Sequence, residues 1–484
     1  MLASFFVAPL FAPAPRATPL APYFGGPPAR MTLITRPLGF DPDGNARWLV
    51  LTAFFDARGN PTRIMANSDF SWTSHDGRVQ WQTRMRFGQP SAILIANRDG
   101  PLRMKVRANH PKLGTLTVRT DTRRWPQPRV VGAAMGAYAV SIGWFPRESS
   151  AVRVERVDGR GRHLRSVVRA PSSAFLDTGV EPATRYRYAI YRRDRRPVVV
   201  TVTTLASPPQ TSISSVYGKG MWLFFTDNPL DDIYYARLDP HAIVERAVRA
   251  GLRYVELRFT YGAYWEVNPQ AKPTIDAIVD GLASHGIATV AWTVPRDLSF
   301  EDVAATVRAA YYRTAYGTPV RGLAIDVERG DDFMGDAPEG KDALWRYVEL
   351  ARRALGRRYL IVSNVEDPYL EHLDEAAYPF AEIARASTVV QPMAYWRMAQ
   401  RKTTPAQVRA IFLASYAATR RAAASDVPIS MGGQTAAGPA GAPDPGELLA
   451  SLEASRKAGA IGECFFAWND TRNDQWEALK RYPW

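Results

Sequence analysis

From about residue 216 onward, short apolar runs alternate with longer amphipathic stretches, and this alternation constrains the fold more than any other feature of the chain. Eight runs carry it, at 220–225, 254–260, 288–294, 322–328, 359–364, 387–395, 427–434 and 462–470. Helical periodicity marks stretches between them, at 240–250, 274–285, 300–315, 342–355, 404–423 and 445–458. Strands separated by helices build parallel sheets, because the helix carries the chain back to start the next strand in the same direction. Eight such units in about 265 residues match the size of a (β/α)8 barrel. An open doubly wound sheet needs fewer strands and a glycine-rich phosphate loop, and no G-x-G-x-x-G follows the first run. The expectation is an α/β TIM barrel over residues 216–484.

The preceding half reads differently. Residues 1–30 are rich in Pro and Ala without a regular period, as a leader or linker is. Their first fifteen resemble the apolar part of a signal peptide but lack a basic start, which points to a secreted or cell-surface protein and leaves the cytoplasm open. Over 31–125, alternating runs are broken by turn residues, including Asp56-Ala-Arg-Gly-Asn60, His75-Asp-Gly77 and Gly114-Thr-Leu-Thr-Val118. That order resembles bacterial immunoglobulin-like β-sandwich domains. Over 127–205, Trp144 ends the run Ala139-Val-Ser-Ile-Gly-Trp, and Pro182, Thr184, Tyr186 and Tyr188 follow Leu176 and Val180. This pattern resembles a fibronectin type III domain, in which the Trp and Tyr residues are core. Residues 206–215 are rich in Ser, Thr and Pro and read as a linker. The whole is therefore expected to be two all-β sandwiches followed by the barrel.

Charge is uneven. Residues 1–205 hold 31 Lys+Arg against 13 Asp+Glu, a balance of +18, whereas 206–484 hold 30 against 34, a balance of −4. The basic front half suits an anionic surface polymer as partner. Only eight of the 61 basic residues are Lys, so a bias towards Arg across the whole chain also accounts for it. Neither a recognition helix nor basic residues interleaved with aromatic ones appear, so nucleic acid is not the expected partner. The single cysteine, Cys464, excludes an intrachain disulfide, and the six histidines show no metal-ligand spacing, so no metal or cofactor is expected. No run is long and apolar enough for a transmembrane segment.

Barrel enzymes carry their sites at the C-terminal strand ends. Those ends offer Thr226 and Asp227; Glu256 and Arg258; Trp292; Asp326 and Glu328; Ser363 and Asn364; Gln391, Met393 and Tyr395; Gln434; and Glu463, Trp468 and Asp470. Acids and amides bond sugar hydroxyls directionally and aromatic faces stack on pyranose rings, so this mixture suits a glycan. In Gly322-Leu-Ala-Ile-Asp-Val-Glu328, Ala324, Asp326 and Glu328 share one face of a strand, with the two carboxylates about 6.6 Å apart along the backbone. A salt-bridged strand end is the alternative for that pair. Ion pairing with Arg258 or another rim Arg is the alternative for Glu256, and Met393 reads as packing. Strand parity allows either Glu463 or Trp468 to face inward, and Trp468 is favoured.

These ends, with Gln391-Pro-Met-Ala-Tyr395 and Phe465-Phe-Ala-Trp468, resemble the chitinase-type glycoside hydrolases of family 18. The Asp-Val-Glu triplet is also similar to strand four of the family 25 lysozymes. The resemblance implies a catalytic set in which Glu328 is the general acid, Asp326 steadies a substrate acetamido group, and Tyr395 is a further donor. It implies Trp468 as a pocket floor, with Gln391, Glu256, Arg258, Trp292, Asn364, Gln434 and Asp470 as candidates for substrate binding. Ala324 departs from the chitinase motif, which is acidic there. A substrate acetamido group acting as nucleophile makes a second carboxylate unnecessary; otherwise Glu256 or Glu463 would have to stand opposite. The expected function is hydrolysis of a polysaccharide or cell-wall glycan. The alternative is a non-catalytic barrel that binds glycan or serves adhesion.

Overall fold

The computed structural model describes residues 28–40, 46–57, 70–74, 78–86, 89–96, 103–110, 114–121, 130–158, 163–170, 172–192, 196–224, 239–269, 271–296, 298, 300–329, 340–374, 376–398 and 403–484. Most of the expected leader, together with Thr226 and Asp227, lies outside them.

The N-terminal unit consists of β1 (Pro28–Phe40), β2 (Ala46–Asp56), β3 (Phe70–Ser74), β4 (Arg78–Arg86), β5 (Gln89–Ala96), β6 (Arg103–His110) and β7 (Gly114–Asp121). They form sheets ordered β1-β2-β5-β4 and β3-β6-β7. The next unit contains β8 (Val130–Ala134), β9 (Val140–Glu148), β10 (Val152–Asp158), β11 (His163–Val168), β12 (Ser172–Asp177), β13 (Arg185–Tyr191) and β14 (Val198–Thr203). Its sheets run β12-β9-β8 and β11-β10-β13-β14. One buried cluster draws on both, with Ile142 and Trp144 from the smaller sheet and Val154, Tyr186, Tyr188 and Ile190 from the larger. Tyr188 donates to Asp177 Oδ2 at 2.9 Å, and Tyr186 accepts from the Glu181 amide at 2.8 Å, so both buried hydroxyls are bonded.

The barrel then follows strand by strand: β15 (Gly218–Leu223), α1 (Pro240–Ala250), β16 (Tyr254–Tyr261), β17 (Tyr264–Trp265), α2 (Lys272–Ser284), β18 (Ala288–Val294), α3 (Phe300–Ala310), β19 (Leu323–Val327), α4 (Gly340–Leu355), β20 (Ile361–Glu366), α5 (Phe380–Ala386), β21 (Val389–Met393), α6 (Pro405–Ala423), β22 (Ser430–Gln434), α7 (Pro445–Ala458), β23 (Gly462–Phe466) and α8 (Asn473–Arg481). Every barrel ladder is parallel, and β15 bonds to both β16 and β23, which closes the ring. β17 is a two-residue antiparallel addition to β16. The helices start where local chemistry provides partners for their first amides: Asp239 accepts from His241 and Ala242 ahead of α1, and Thr404 with Gln407 makes a reciprocal cap on α6. Two helices, α5 and α8, were not expected; at seven and nine residues they are too short to show a clear period. The final strand ends at Phe466, earlier than expected, and a 3-10 turn spans Trp468–Asp470.

Contacts at two places bind the preceding segments to the barrel. Met135 and Ala139, from the loop between β8 and β9, are buried in the cluster that packs the barrel helices. Tyr138 donates its amide to Ala354 O at the end of α4 (3.3 Å), and Leu205 donates to Gly136 O (3.1 Å). The stretch 206–217 then crosses the N-terminal face: Thr211 Oγ1 accepts from the Leu360 amide at 2.7 Å, and Ile213 and Val216 enter the interior cluster from below. Gly136 is tight at this seam, because a Cβ there would stand 2.3 Å from Ala354 O, a backbone atom. Gly136→Val is therefore expected to cost about 1–3 kcal/mol through overpacking. Calorimetric unfolding checks this, and an unchanged melting curve would show that the seam contributes no stability.

Candidate functional site

Alternation along β19 divides its side chains. Leu323, Ile325 and Val327 join the outer cluster beneath the helices, while Ala324 belongs to the interior cluster. Asp326 follows on the interior side and is 8% exposed. Glu328, one step past the strand end, is half-buried. The strand end is held by Tyr378, which donates to Val327 O at 2.5 Å. In the next ladder Asp326 stands beside Asn364. Tyr395 lies just beyond β21, and burial, followed by the charges of Asp326 and Glu328, pushes its phenol well above the usual range. Both carboxylates thus act electrostatically on one phenol at the C-terminal end of the barrel.

Aromatic rings pack around this point. The Phe466 ring stacks on Phe224 at 5.6 Å and lies 5.7 Å from Tyr395 and 6.1 Å from Trp222. Trp222 meets Tyr395 edge-on at 6.4 Å, and Phe224 meets Trp292 at 6.1 Å. Trp222, Phe224 and Phe466 did not stand out in the sequence as site residues. Strand parity was the available signal: Trp222, Phe224 and Phe466 fall on the interior phase of β15 and β23.

Beneath the rings lies a polar layer. Glu256 is fully buried, and accepts from Asn364 Nδ2 and Gln391 Nε2 at 3.0 Å each. Gln391 Nε2 also donates to Asn364 Oδ1 at 3.0 Å, and Tyr254 donates to Gln391 Oε1 at 3.3 Å. Trp222 and Cys464 add side-chain hydrogen bonds to Glu256. Desolvation raises this carboxyl and the four bonds lower it, which leaves it at about 7. Glu256, Asn364 and Gln391 are therefore brought together, bonded chiefly to one another below the mouth.

The remaining candidates occupy different surroundings. Arg258 bonds Glu266 through Nε at 3.0 and 3.1 Å, with its guanidinium 5.7 Å from the centre of the buried Trp292 ring. Gln434 accepts from the Arg397 amide and donates to Ala436 O, both at 3.0 Å, so its amide shapes the loop after β21. Trp468 lies against Trp476 of α8, with ring centres 4.8 Å apart, and packs with the outer cluster. Asp470 is exposed on the same turn. Parity holds only while the chain is extended; β23 ends at Phe466, and Trp468 turns away with the 3-10 turn. Among the described residues, no group of His, Cys, Asp or Glu gathers as metal ligands, and no helix is long and apolar enough to cross a membrane.

The closed ring of eight parallel strands alternating with helices defines the class, a (β/α)8 barrel. No family model matches the chain, and no curated protein matches it. Solved structures similar to it include a chitinase from Chromobacterium violaceum, at 12% identity over 55% of this chain and 98% of that one, with a TM-score of 0.39. The spore cortex-lytic enzyme SleL of Bacillus cereus is 11% identical over 60% of this chain and 79% of that one, with a TM-score of 0.40. A Bacteroides ovatus GH5 xyloglucanase is 10% identical over 70% and 94%, with a TM-score of 0.37.

Glu463, the buried acid of β23, faces outward onto α7. Its Oε1 lies 2.6 Å from Ser451 Oγ and its Oε2 lies 2.7 Å from Ser455 Oγ. Ser451 has one hydroxyl proton and also sits 2.9 Å from Leu448 O. A protonated Glu463 resolves that competition by donating to Ser451, and burial pushes the carboxyl up to about 8. Glu256 and Glu463 both bind a proton more tightly folded than unfolded. Their contribution to stability is thus complete below the unfolded carboxyl range and is lost as pH rises through about 7 and about 8. Glu463→Gln is expected to flatten this decline by up to about 1.4 kcal/mol per pH unit. Urea unfolding from pH 5 to 8 reads the slope, and identical slopes for both proteins would contradict the assignment.

Proposed function

We propose that this protein is a glycoside hydrolase acting on a polysaccharide or cell-wall glycan whose sugars carry a 2-acetamido group. The observation that carries the reading is the placing of Asp326 and Glu328 at the C-terminal end of β19, where both charges act on the Tyr395 phenol. In this reading Glu328, the more exposed of the pair, protonates the glycosidic oxygen as the bond from C1 breaks. The acetamido oxygen attacks C1, and Asp326 holds the acetamido N–H so that the oxygen is aimed. Tyr395 donates to the acetamido oxygen. The Glu328 carboxylate then takes a proton from the water that opens the cyclic intermediate, restoring the acid. The aromatic group around Phe466 supplies flat apolar surface for pyranose faces.

The two N-terminal units are read as an immunoglobulin-like and a fibronectin type III-like sandwich on a secreted or surface-held protein. Sheet orders of three and four strands with a shared core support the second assignment. The basic front half is still read as the face for an anionic surface polymer, and a second candidate seat for one lies between this unit and the barrel, with its arginines on the barrel side. There a groove of about 1010 Å³ is lined by Tyr138, Thr178, Gln210, Arg353, Arg357 and Arg358, among others. Arg357 and Arg358 are exposed at its edge.

Glu328→Gln is expected to cut the release of reducing ends from acetamido glycans by about 10²–10⁴, the size of a general-acid contribution, while oligosaccharide binding persists. A wild-type protein that binds such glycans yet releases no reducing ends would favour the non-catalytic binding barrel instead. Reversing charge at Arg357 and Arg358 together is expected to weaken retention on an anionic wall polymer, with the loss greatest at low salt. Equal retention of wild type and variant would remove the groove from the reading.

A further inference from the structure

One buried acid is left without a part in that chemistry. Strand β19 carries Ala324, wholly buried, at the inward position below Asp326, so no carboxylate of its own strand supports Asp326 from beneath. A buried carboxylate from β16 nevertheless reaches the ladder neighbour of Asp326. Glu256 bonds Asn364 and Gln391 at 3.0 Å each, Gln391 bonds Asn364 at 3.0 Å, and Asn364 is the ladder neighbour of Asp326. From the other side, Tyr395 is acted on by Asp326, Glu328 and Glu256 together.

The bonds around Glu256 have one polarity. Amide N–H groups of Asn364 and Gln391 point at its two oxygens, and Trp222 and Cys464 bond it as well. Four donors around one carboxyl suit its ionised form. Replacing such a group with an apolar residue of similar volume is often neutral or stabilising, so stability alone does not explain a buried carboxylate. Its charge is not absorbed by Arg258, the nearest cation along β16, because that guanidinium is turned to Glu266. The other faces of the layer are neutral: Tyr254 bonds Gln391 and Ser430, and Cys464 comes from β23.

We propose that Glu256 is a positioning residue of the candidate site, fixing the amides of Asn364 and Gln391 so that the interior presents a negative charge and a rigid Asn364 edge to Asp326 and Tyr395. It replaces, from a different strand, the support that Ala324 does not give. A negative charge below Asp326 raises its proton affinity, so it accepts more strongly from the acetamido N–H that aims the attacking oxygen. The proposal rests on the hydrolase reading, and its test separates the two.

Glu256→Gln keeps the shape and removes the charge. On acetamido oligosaccharides, kcat is expected to fall about tenfold or more with KM little changed, and the pH–rate profile is expected to lose its limb near neutrality. Glu256→Asp, which restores the charge, is expected to recover that limb even if the rate stays low. A parallel loss in KM and kcat with an unaltered profile would mark Glu256 as structural and overturn the proposal. The second arm needs no turnover: carbon-13 carboxyl titration of Asp326, assigned with Asp326→Asn, is expected to move to lower pH in Glu256→Gln. An unmoved Asp326 midpoint in a folded variant overturns the coupling. If wild type hydrolyses nothing and the midpoint still moves, the hydrolase reading fails while the coupling stands.

Discussion

Closure of the barrel is the constraint on which the rest depends. Once β15 bonds both β16 and β23, no strand edge remains, and alternate residues of all eight strands are committed to one narrow interior. The filling of that space is tight near the bottom. Gly220 is required there, because a Cβ at that position would fall 2.3 Å from the Tyr254 ring, which spans the interior from β16. Ile213 and Val216 enter below it from the segment that crosses the N-terminal face. With the bottom filled, polar chemistry inside the ring is confined to the upper half, at the end where barrel enzymes keep their sites.

The interior changes character with height. Apolar side chains such as Val290, Val362 and Val389 join Tyr254 in the interior cluster. Glu256, Asn364 and Gln391 form the middle, fully buried and bonded mainly to each other. Asp326, Glu328, Tyr395 and the rings of Phe224 and Phe466 form the top. A polar layer in such a place is tolerated only when its donors and acceptors match, since an unmatched buried polar group costs about 1–3 kcal/mol. The match here also fixes three side chains in one arrangement, and a fixed floor is what a site needs if its upper groups are to hold a working geometry.

Much of this was legible in the sequence because alternation and strand–helix repetition are local signals. The eight strands fell where the apolar runs placed them, and β18 over Ala288–Val294 coincided with its run. The inward phase of Asp326 followed from the neighbouring Leu323, Ile325 and Val327. Partnerships across the barrel were not legible. Nothing in the sequence near Arg258 says that Glu266, reached through the β17 turn, takes its guanidinium. Nor does anything near Gln434 say that it serves the Arg397 amide. Trp468 shows the limit of parity itself: the rule requires extended backbone, and the strand stops two residues short of it. Phe466 carries the interior phase in its place.

The middle layer also bears on the choice between cleavage and binding. A barrel that only holds sugar needs hydroxyl partners and aromatic faces at its mouth, and these work equally well above an apolar floor. It gains nothing from a buried carboxylate poised at about 7, which weakens the fold as pH rises through that value. Proton transfer is different. The proton affinity of an acid at the mouth depends on charge within a few ångströms, and in a low-dielectric interior one carboxylate beneath it outweighs many exposed charges outside. Glu256 is enclosed, its nearest strand-mate cation is turned elsewhere, and the phenol of Tyr395 responds to it and to both upper acids. Such an arrangement is what the proposed hydrolysis requires and what adhesion has no use for.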